Sequence, residues 1–314
     1  MKFSRRPTIV ATLVLVASLA ASISLLHRVD AVRHDAAAED VLYISSPTAV
    51  KRLSLGYSGF MADIYWTRAV QYFGGKHYLG ATEYKLLGPL LEIATTLDPQ
   101  LLVAYEYGSN FLADNPPQGA GEPQEAVKLV QFGIRNNPQQ WRLYYNLGFI
   151  YYLNLKDYKS AADAFEKASQ LPNAHPFTKI LAGQMAQHAG EYQTARTLWS
   201  ATYETAQEPS IKYNAIAHLR ALRVDEDVTH LEEAVAAYRE RFGWVPPSMT
   251  ALTSAALLPG ILVDPDRHPY NITADGWVEV SDPDSFPFIT KGTPPDYQAP
   301  APNFDRFKQA DKQK

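Results

Sequence analysis

The sequence contains no cysteine in 314 residues. This absence excludes disulfides, thiolate nucleophiles and thiolate metal ligands, and it is compatible with an oxidising compartment. Neither sign of charge is in large excess, because 29 Lys and Arg are nearly balanced by 33 Asp and Glu and the net charge is only −4. No run of basic residues stands out, and phosphate binding needs a concentrated basic face. Nucleic acid is therefore not an expected partner.

Motifs for catalysis are equally scarce. The stretch GYSGF, residues 56–60, approaches the hydrolase pattern G-x-S-x-G, but phenylalanine takes the second glycine place and no strand precedes it. Ser58 is instead expected to cap a helix. Asp264, Asp266 and His268 lie within five residues and could be metal ligands, yet two prolines in this stretch favour a turn. We expect no enzyme, no metal site and no cofactor.

A long uncharged run lies near the N-terminus, at Thr8–Leu26. A helix of 19 residues covers roughly the hydrocarbon core at about 1.5 Å per residue, whereas the apolar region of a cleaved signal spans only about 7–15. The run predicts an uncleaved anchor, although Ser18 and Ala20 leave open a secreted, cleaved form. Three Lys or Arg precede the run. This predicts a single-pass bacterial inner-membrane protein with a periplasmic body.

A helical period appears in LYYNLGFIYYLNLKDYKSAADAFEKASQLP, residues 143–172. The stretch has apolar or small residues at spacings of three and four, which predict two helices in close contact. The residues are Tyr144, Leu147, Gly148, Tyr151, Ala161, Phe165 and Ala168. They resemble the tetratricopeptide repeat pattern W-x2-L-G-x2-Y…A-x3-F…A…P, with tyrosine in the Trp place and one extra residue in the turn NLKDY.

The pattern recurs downstream, where Gly183, Ala195 and Trp199 follow Gly148, Ala161 and Phe165 by 34 or 35 residues. Looser copies lie on both sides. The last copy places Tyr213 and Ala217 before a turn at RVDEDVT, and Ala234 and Tyr238 after it. The predicted fold is all-α, a solenoid of about five helical pairs over residues 58–242.

The resemblance implies that the first helix of each unit lines a concave groove that binds a partner protein. The residues in those places are Tyr105, Ser109, Leu112, Arg142, Tyr145, Asn146, Phe149, Tyr152, Gln184, His188, Asn214 and His218, with Leu153, Phe177, Ile180 and Gln187 in equivalent places. The predicted groove is aromatic with scattered amides. It suits an apolar helix or an extended segment, because aromatic side chains give large contact area at low entropic cost.

The residues after the repeats form two segments of different character. Residues 243–281 resemble the globular part of type II secretion pseudopilins, with Asp264, Pro265, Pro269 and Tyr270 matching and Arg267 replacing a glycine. They predict a helix and a small β-hairpin that caps the solenoid. Residues 282–314 are rich in proline and charge, and we expect them to be disordered or ordered only on a partner.

The predicted organisation is an anchor at 1–35, a linker at 36–57, repeats at 58–242, a cap at 243–281 and a tail at 282–314. It favours a membrane-anchored extracytoplasmic scaffold in envelope assembly, secretion or polysaccharide export. Two alternatives remain open at this stage. One is a structural component of a pilus or type II secretion-like machine, and the other is a glycan-binding accessory factor.

Overall fold

The computed structural model describes residues 14–25, 28 and 46–298. The predicted anchor and linker lie partly outside these residues, and residues 299–314 of the predicted tail lie wholly outside them. Residues 14–25 are helical, and the helices that follow are α1 Pro47–Leu53, α2 Ser58–Tyr78, α3 Leu87–Leu97, α4 Leu102–Ala113, α5 Pro123–Asn136, α6 Trp141–Phe149, α7 Tyr158–Ser169, α8 Phe177–His188, α9 Tyr192–Thr205, α10 Pro209–Phe242 and α11 Met249–Ser254. No helix within the described ranges combines the length and the apolar character needed to cross a bilayer.

The chain divides into two compact units. The first comprises Met1–Ala104 with Asn115–Ala120, and the second comprises Tyr105–Asp114 with Gly121–Lys314. In the first unit α2 packs on α3 and α1 contacts α3. The core of this unit contains Tyr65, Leu87 and Leu91. Tyr84 is also buried, and its hydroxyl donates a hydrogen bond to the Pro117 carbonyl at 2.7 Å.

In the second unit successive helices from α5 to α10 each pack on the next one. The prediction of a mostly helical fold built from paired helices is confirmed in these residues. The fifth pair is wrong, because α10 runs unbroken for 34 residues through the predicted turn RVDEDVT. Val224, Val228 and Leu231 are fully buried at helical spacing there, and no glycine or proline interrupts them.

Small residues and aromatic rings meet where these helices cross. A Cβ atom added to Gly148 would lie 2.6 Å from Cε1 of Phe165, and one added to Gly183 would lie 3.0 Å from Nε1 of Trp199. Both distances are shorter than ordinary van der Waals contact, so the rings occupy the space that a side chain would need. Ala161, Ala168 and Ala195 are fully buried, Leu147 is buried, and Tyr144 and Tyr151 are partly exposed.

The extra residue expected in the turn NLKDY is accommodated within the helix. After α6 the chain continues as a π-helix, Ile150–Leu155, which ends at Lys156 with φ +56°. A π-turn holds one residue more than an α-turn, so it takes up a single insertion. Asp157 then caps α7 by accepting a hydrogen bond from the Ser160 amide at 3.0 Å.

The predicted cap at Ser58 is wrong. Helix α2 does begin at Ser58, but the cap position is Tyr57 and no side chain bonds to the free amides of the first turn.

A small hairpin follows the helices, as predicted. Strand β1, Asn271–Ile272, pairs antiparallel with β2, Val278–Glu279, and Ile272 lies opposite Val278. Gly276 in the connecting turn has φ +92°, a conformation that favours glycine. The hairpin packs on α10, and the Tyr270 hydroxyl donates to an Asp227 carboxylate oxygen at 3.0 Å.

The segment after the hairpin departs from the predicted disordered tail. Pro283–Ser285 forms a 3-10 turn, Phe286 is buried, and the Val280 amide donates to the Gly292 carbonyl at 2.9 Å. The aromatic and β-branched residues in FPFIT provide the apolar contacts, and its Pro-rich composition concealed them. Residues 286–292 are therefore packed against the helical unit.

Candidate functional site

A row of five aromatic side chains follows α6 and the start of α7. We call it the aromatic row, and all five of its members are partly exposed. Ring centroids lie 5.8 Å apart for Trp141–Tyr145, 4.8 Å for Tyr145–Phe149, 6.5 Å for Phe149–Tyr152 and 6.1 Å for Tyr152–Tyr158. The four-residue spacing of the first three places them on one face of α6. The π-helix carries Tyr152 towards α7, and the row continues there.

The aromatic row rests on the core of the repeats. Edge-to-face contacts join Phe165 to Tyr145 at 5.9 Å and to Phe149 at 5.1 Å. At the far end Tyr158 stacks on His188 at 5.3 Å. Rings held in this way lose little further freedom when they bind, so they suit recognition.

Positive charge lies above the first ring of the row and above its fourth ring. The Arg142 guanidinium stands 4.9 Å above Trp141, and the Lys156 ammonium stands 6.0 Å above Tyr152. Burial raises the pKa of the nearby Glu106 carboxyl, while the charge of Arg142 partly offsets that effect. The row therefore presents apolar surface between two cations.

Two amides fix the row to the preceding pair of helices. Asn146 Nδ2 donates to the Glu106 carbonyl at 3.0 Å, and Asn154 Nδ2 donates to the Ala113 carbonyl at 3.0 Å. Asn146 was predicted to face a partner, but this amide is engaged within the chain.

Five of the predicted groove residues are buried: Tyr105, Ser109, Leu112, Gln187 and His218. Placing them on an accessible surface is wrong. The Tyr105 ring fills the space beside Gly133, where an added Cβ would come within 2.8 Å, so this face of α4 packs on α5. The other predicted positions are partly or well exposed, namely Arg142, Tyr145, Asn146, Phe149, Tyr152, Leu153, Phe177, Ile180, Gln184, His188 and Asn214.

His218 is buried because the C-terminal segment covers it. We call residues 286–292 the clasp. The imidazole lies between the Trp199 and Phe288 rings, with both centroid distances 3.9 Å and interplanar angles of 5° and 12°. The three rings form one continuous stack from α9 through α10 to the clasp.

Polar side chains of α8 and α10 hold the clasp backbone. Gln187 Nε2 donates to the Phe288 carbonyl at 2.9 Å and to Asp225 Oδ2 at 2.7 Å. Asp225 Oδ1 accepts the amides of Thr290 at 2.8 Å and Lys291 at 3.1 Å. The Thr290 hydroxyl donates to Asp225 Oδ2 at 2.9 Å. Gln187 is a predicted groove residue, whereas Asp225 and the clasp are not among the predicted site residues. The sequence signal for the clasp is the run of aromatic and β-branched residues in FPFIT.

Burial shifts the pKa values of His218 and Asp225 in opposite directions, and in both cases it favours the uncharged form. Burial lowers the pKa of His218 to about 3, with a smaller contribution from the charge of His188. Burial raises the pKa of Asp225, and its hydrogen bonds from Gln187, Thr290 and Lys291 partly oppose the rise. The His218 imidazole is therefore neutral at pH 7.

We expect stability to depend on pH through His218. The unfolded imidazole binds a proton below pH of about 6.5, and the folded one does so only near 3, so acid favours the unfolded chain across this window. Relative to His218→Gln, the wild type should lose about 2 kcal/mol between pH 7 and pH 5. Urea denaturation of both proteins measures the difference. Asp225 is present in both, so its opposite contribution largely cancels, and parallel pH profiles would contradict the prediction.

The Asp264 segment forms a turn. Asp264 Oδ1 accepts the amides of Asp266 at 2.8 Å and His268 at 2.9 Å. Across the described residues, no group of three or more His, Cys, Asp or Glu side chains is placed to hold a metal ion.

Comparison with known proteins gives little further information. No family model and no curated protein matches the chain. A solved structure of PilF from Pseudomonas aeruginosa is similar over 67% of this chain and 96% of its own, with 18% sequence identity and a TM-score of 0.35. A likeness of that size does not establish a shared fold. The pairing of the helices is shown by the packing of each helix from α5 to α10 on the next one.

Proposed function

We propose that the chain is a protein-interaction scaffold that binds its partner at the aromatic row. The observation that carries the proposal is a set of five partly exposed rings held rigidly on packed helices. Aromatic residues dominate the energetics of protein interfaces because they bury large areas at low entropic cost. The chain would act by binding and not by catalysis.

The chemistry of the row suggests the kind of partner. Rings between Arg142 and Lys156 suit an apolar helix or extended segment with acidic residues at its ends. The uncharged run Thr8–Leu26 supports placement at a bacterial inner membrane, with the body in the periplasm. Envelope assembly, secretion and polysaccharide export are processes that such a scaffold would serve.

Crosslinking in native membranes tests this function. A photoreactive residue in place of Tyr152 should capture a specific protein, and one in place of Lys128, an exposed residue of α5, should not. Arg142→Glu should lower the yield at least tenfold by reversing the charge at one end of the row. Tyr203→Ala removes an exposed tyrosine of α9 that lies outside the row, and it should leave the yield unchanged. Equal capture from both positions, or capture of glycan alone, would contradict the proposal.

A further inference from the structure

The clasp is held by side chains in the manner of a bound peptide. Its Phe288 carbonyl and its Thr290 and Lys291 amides bond to Gln187 and Asp225, which lie about 65 to 101 residues earlier in the chain. Hydrogen bonds to a peptide backbone, combined with contacts to particular side chains, are a common means of peptide recognition. The helices thus provide a binding surface, and the clasp is its occupant.

The site makes specific contacts with two side chains of the clasp. The Phe288 ring completes the stack on His218, and the Thr290 hydroxyl donates to Asp225. Asp225 is fully buried, so its carboxylate depends on the donors that the clasp supplies. A segment that lacks an aromatic ring at the first position, or that lacks a hydroxyl two residues later, would bind the site poorly.

The clasp leaves some of the site unused. His218 Nε2 and Asn214 Oδ1 are buried and have no hydrogen-bond partner among the described residues. They stand one helical turn apart on the same face of α10. Buried polar atoms without partners are destabilising, so a segment that reached them would compete with the clasp. Thr290 is itself exposed, and a competitor can therefore approach the clasp from solvent.

We propose that Gln187, His218 and Asp225 form a peptide-binding site for a turn-forming segment with an aromatic residue followed two positions later by Thr or Ser. Residues 286–292 occupy this site in cis and are displaced by a partner peptide of the same pattern. The site is separate from the aromatic row, so this inference does not depend on the proposed function.

Binding of a labelled peptide tests the site. The probe is fluorescein-labelled DSFPFITKGTP, residues 284–294, added to the purified full chain in detergent while fluorescence anisotropy is recorded. A chain opened by Phe288→Ala with Thr290→Ala should bind the probe at least tenfold more tightly than the wild type, whose own clasp competes. A probe carrying the same two alanines should bind the opened chain at least tenfold more weakly than the unaltered probe.

Two carboxylates in α10 provide a matched comparison within the opened chain. Asp225→Ala should abolish probe binding because it removes the acceptor for Thr290. Asp227→Ala should preserve binding, since Asp227 bonds to Tyr270 and not to the clasp. Equal loss from both changes would overturn the assignment of Asp225.

A measurement on the wild type covers the case in which the opened chain fails to fold. Hydrogen exchange at the Thr290 and Lys291 amides should accelerate at least fivefold in excess unlabelled probe, because displacement exposes both amides to solvent. The doubly alanine-substituted probe should have no effect. Unchanged exchange with the intact probe, or no preference for it over the substituted probe in the opened chain, would overturn the proposal.

Discussion

Gly148→Leu is expected to lower the free energy of unfolding by more than about 2 kcal/mol, within the range for overpacked cores. An added Cβ would lie within 2.8 Å of three atoms of the Phe165 ring, before the rest of the leucine is placed. Phe165 is itself fully buried and cannot turn away without leaving the core. Urea denaturation followed by far-UV circular dichroism measures the loss.

Gly74→Leu is the matched control for this change. Gly74 also lies inside a helix, but an added Cβ there meets no atom within 4 Å. Leucine should therefore stabilise α2 by up to about 1 kcal/mol through its higher helix propensity. Gly148→Leu combined with Phe165→Ala should cost less than the sum of the two single changes, because both side chains occupy one space. Unaltered stability in Gly148→Leu alone would contradict the close approach of α6 and α7.

Trp199→Ala should destabilise the chain by about 3–5 kcal/mol, the range for removing a large buried aromatic side chain. The ring is 1% exposed, lies against Gly183 and stacks on His218. Its loss would also free one face of the imidazole on which the clasp is built. The fall should appear as a lower urea midpoint, with accelerated amide exchange at Thr290.

Trp244→Ala is the corresponding control, because this tryptophan is 61% exposed. A change within about 0.5 kcal/mol is expected at such a surface position. Similar losses for the two tryptophans would show that the cost reflects residue type and not the burial described for α9.

The repeats were predictable from sequence because the contacts that build them are local and periodic. Gly148 and Phe165 meet across one turn, and Gly183 and Trp199 repeat that arrangement at 34 or 35 residues. The hairpin was predictable for a similar reason, since β-forming residues flank the turn at Gly276. These elements are determined by neighbours within about one repeat.

The features that escaped prediction depend on distant or competing interactions. The charged stretch RVDEDVT resembled a turn, but buried Val224 and Val228 continue the helical period through it. Asp225 contacts Thr290 across 65 residues, and no local pattern announces that pairing. Tyr105 is predicted to face the groove because of its place in a loosely matched copy of the repeat. A small shift in the alignment of that copy exchanges the residues that face the core with those that face the groove.

The π-helix at Ile150–Leu155 has a consequence for how the array tolerates change in length. Each residue inserted into an α-helix rotates everything beyond it by about 100°, which would turn the facing side chains of later units out of phase. Here a widened turn of π-helix holds the surplus residue, and α7 still packs on α6 before it and on α8 after it. The array can thus vary in length at one point without misaligning the units beyond it.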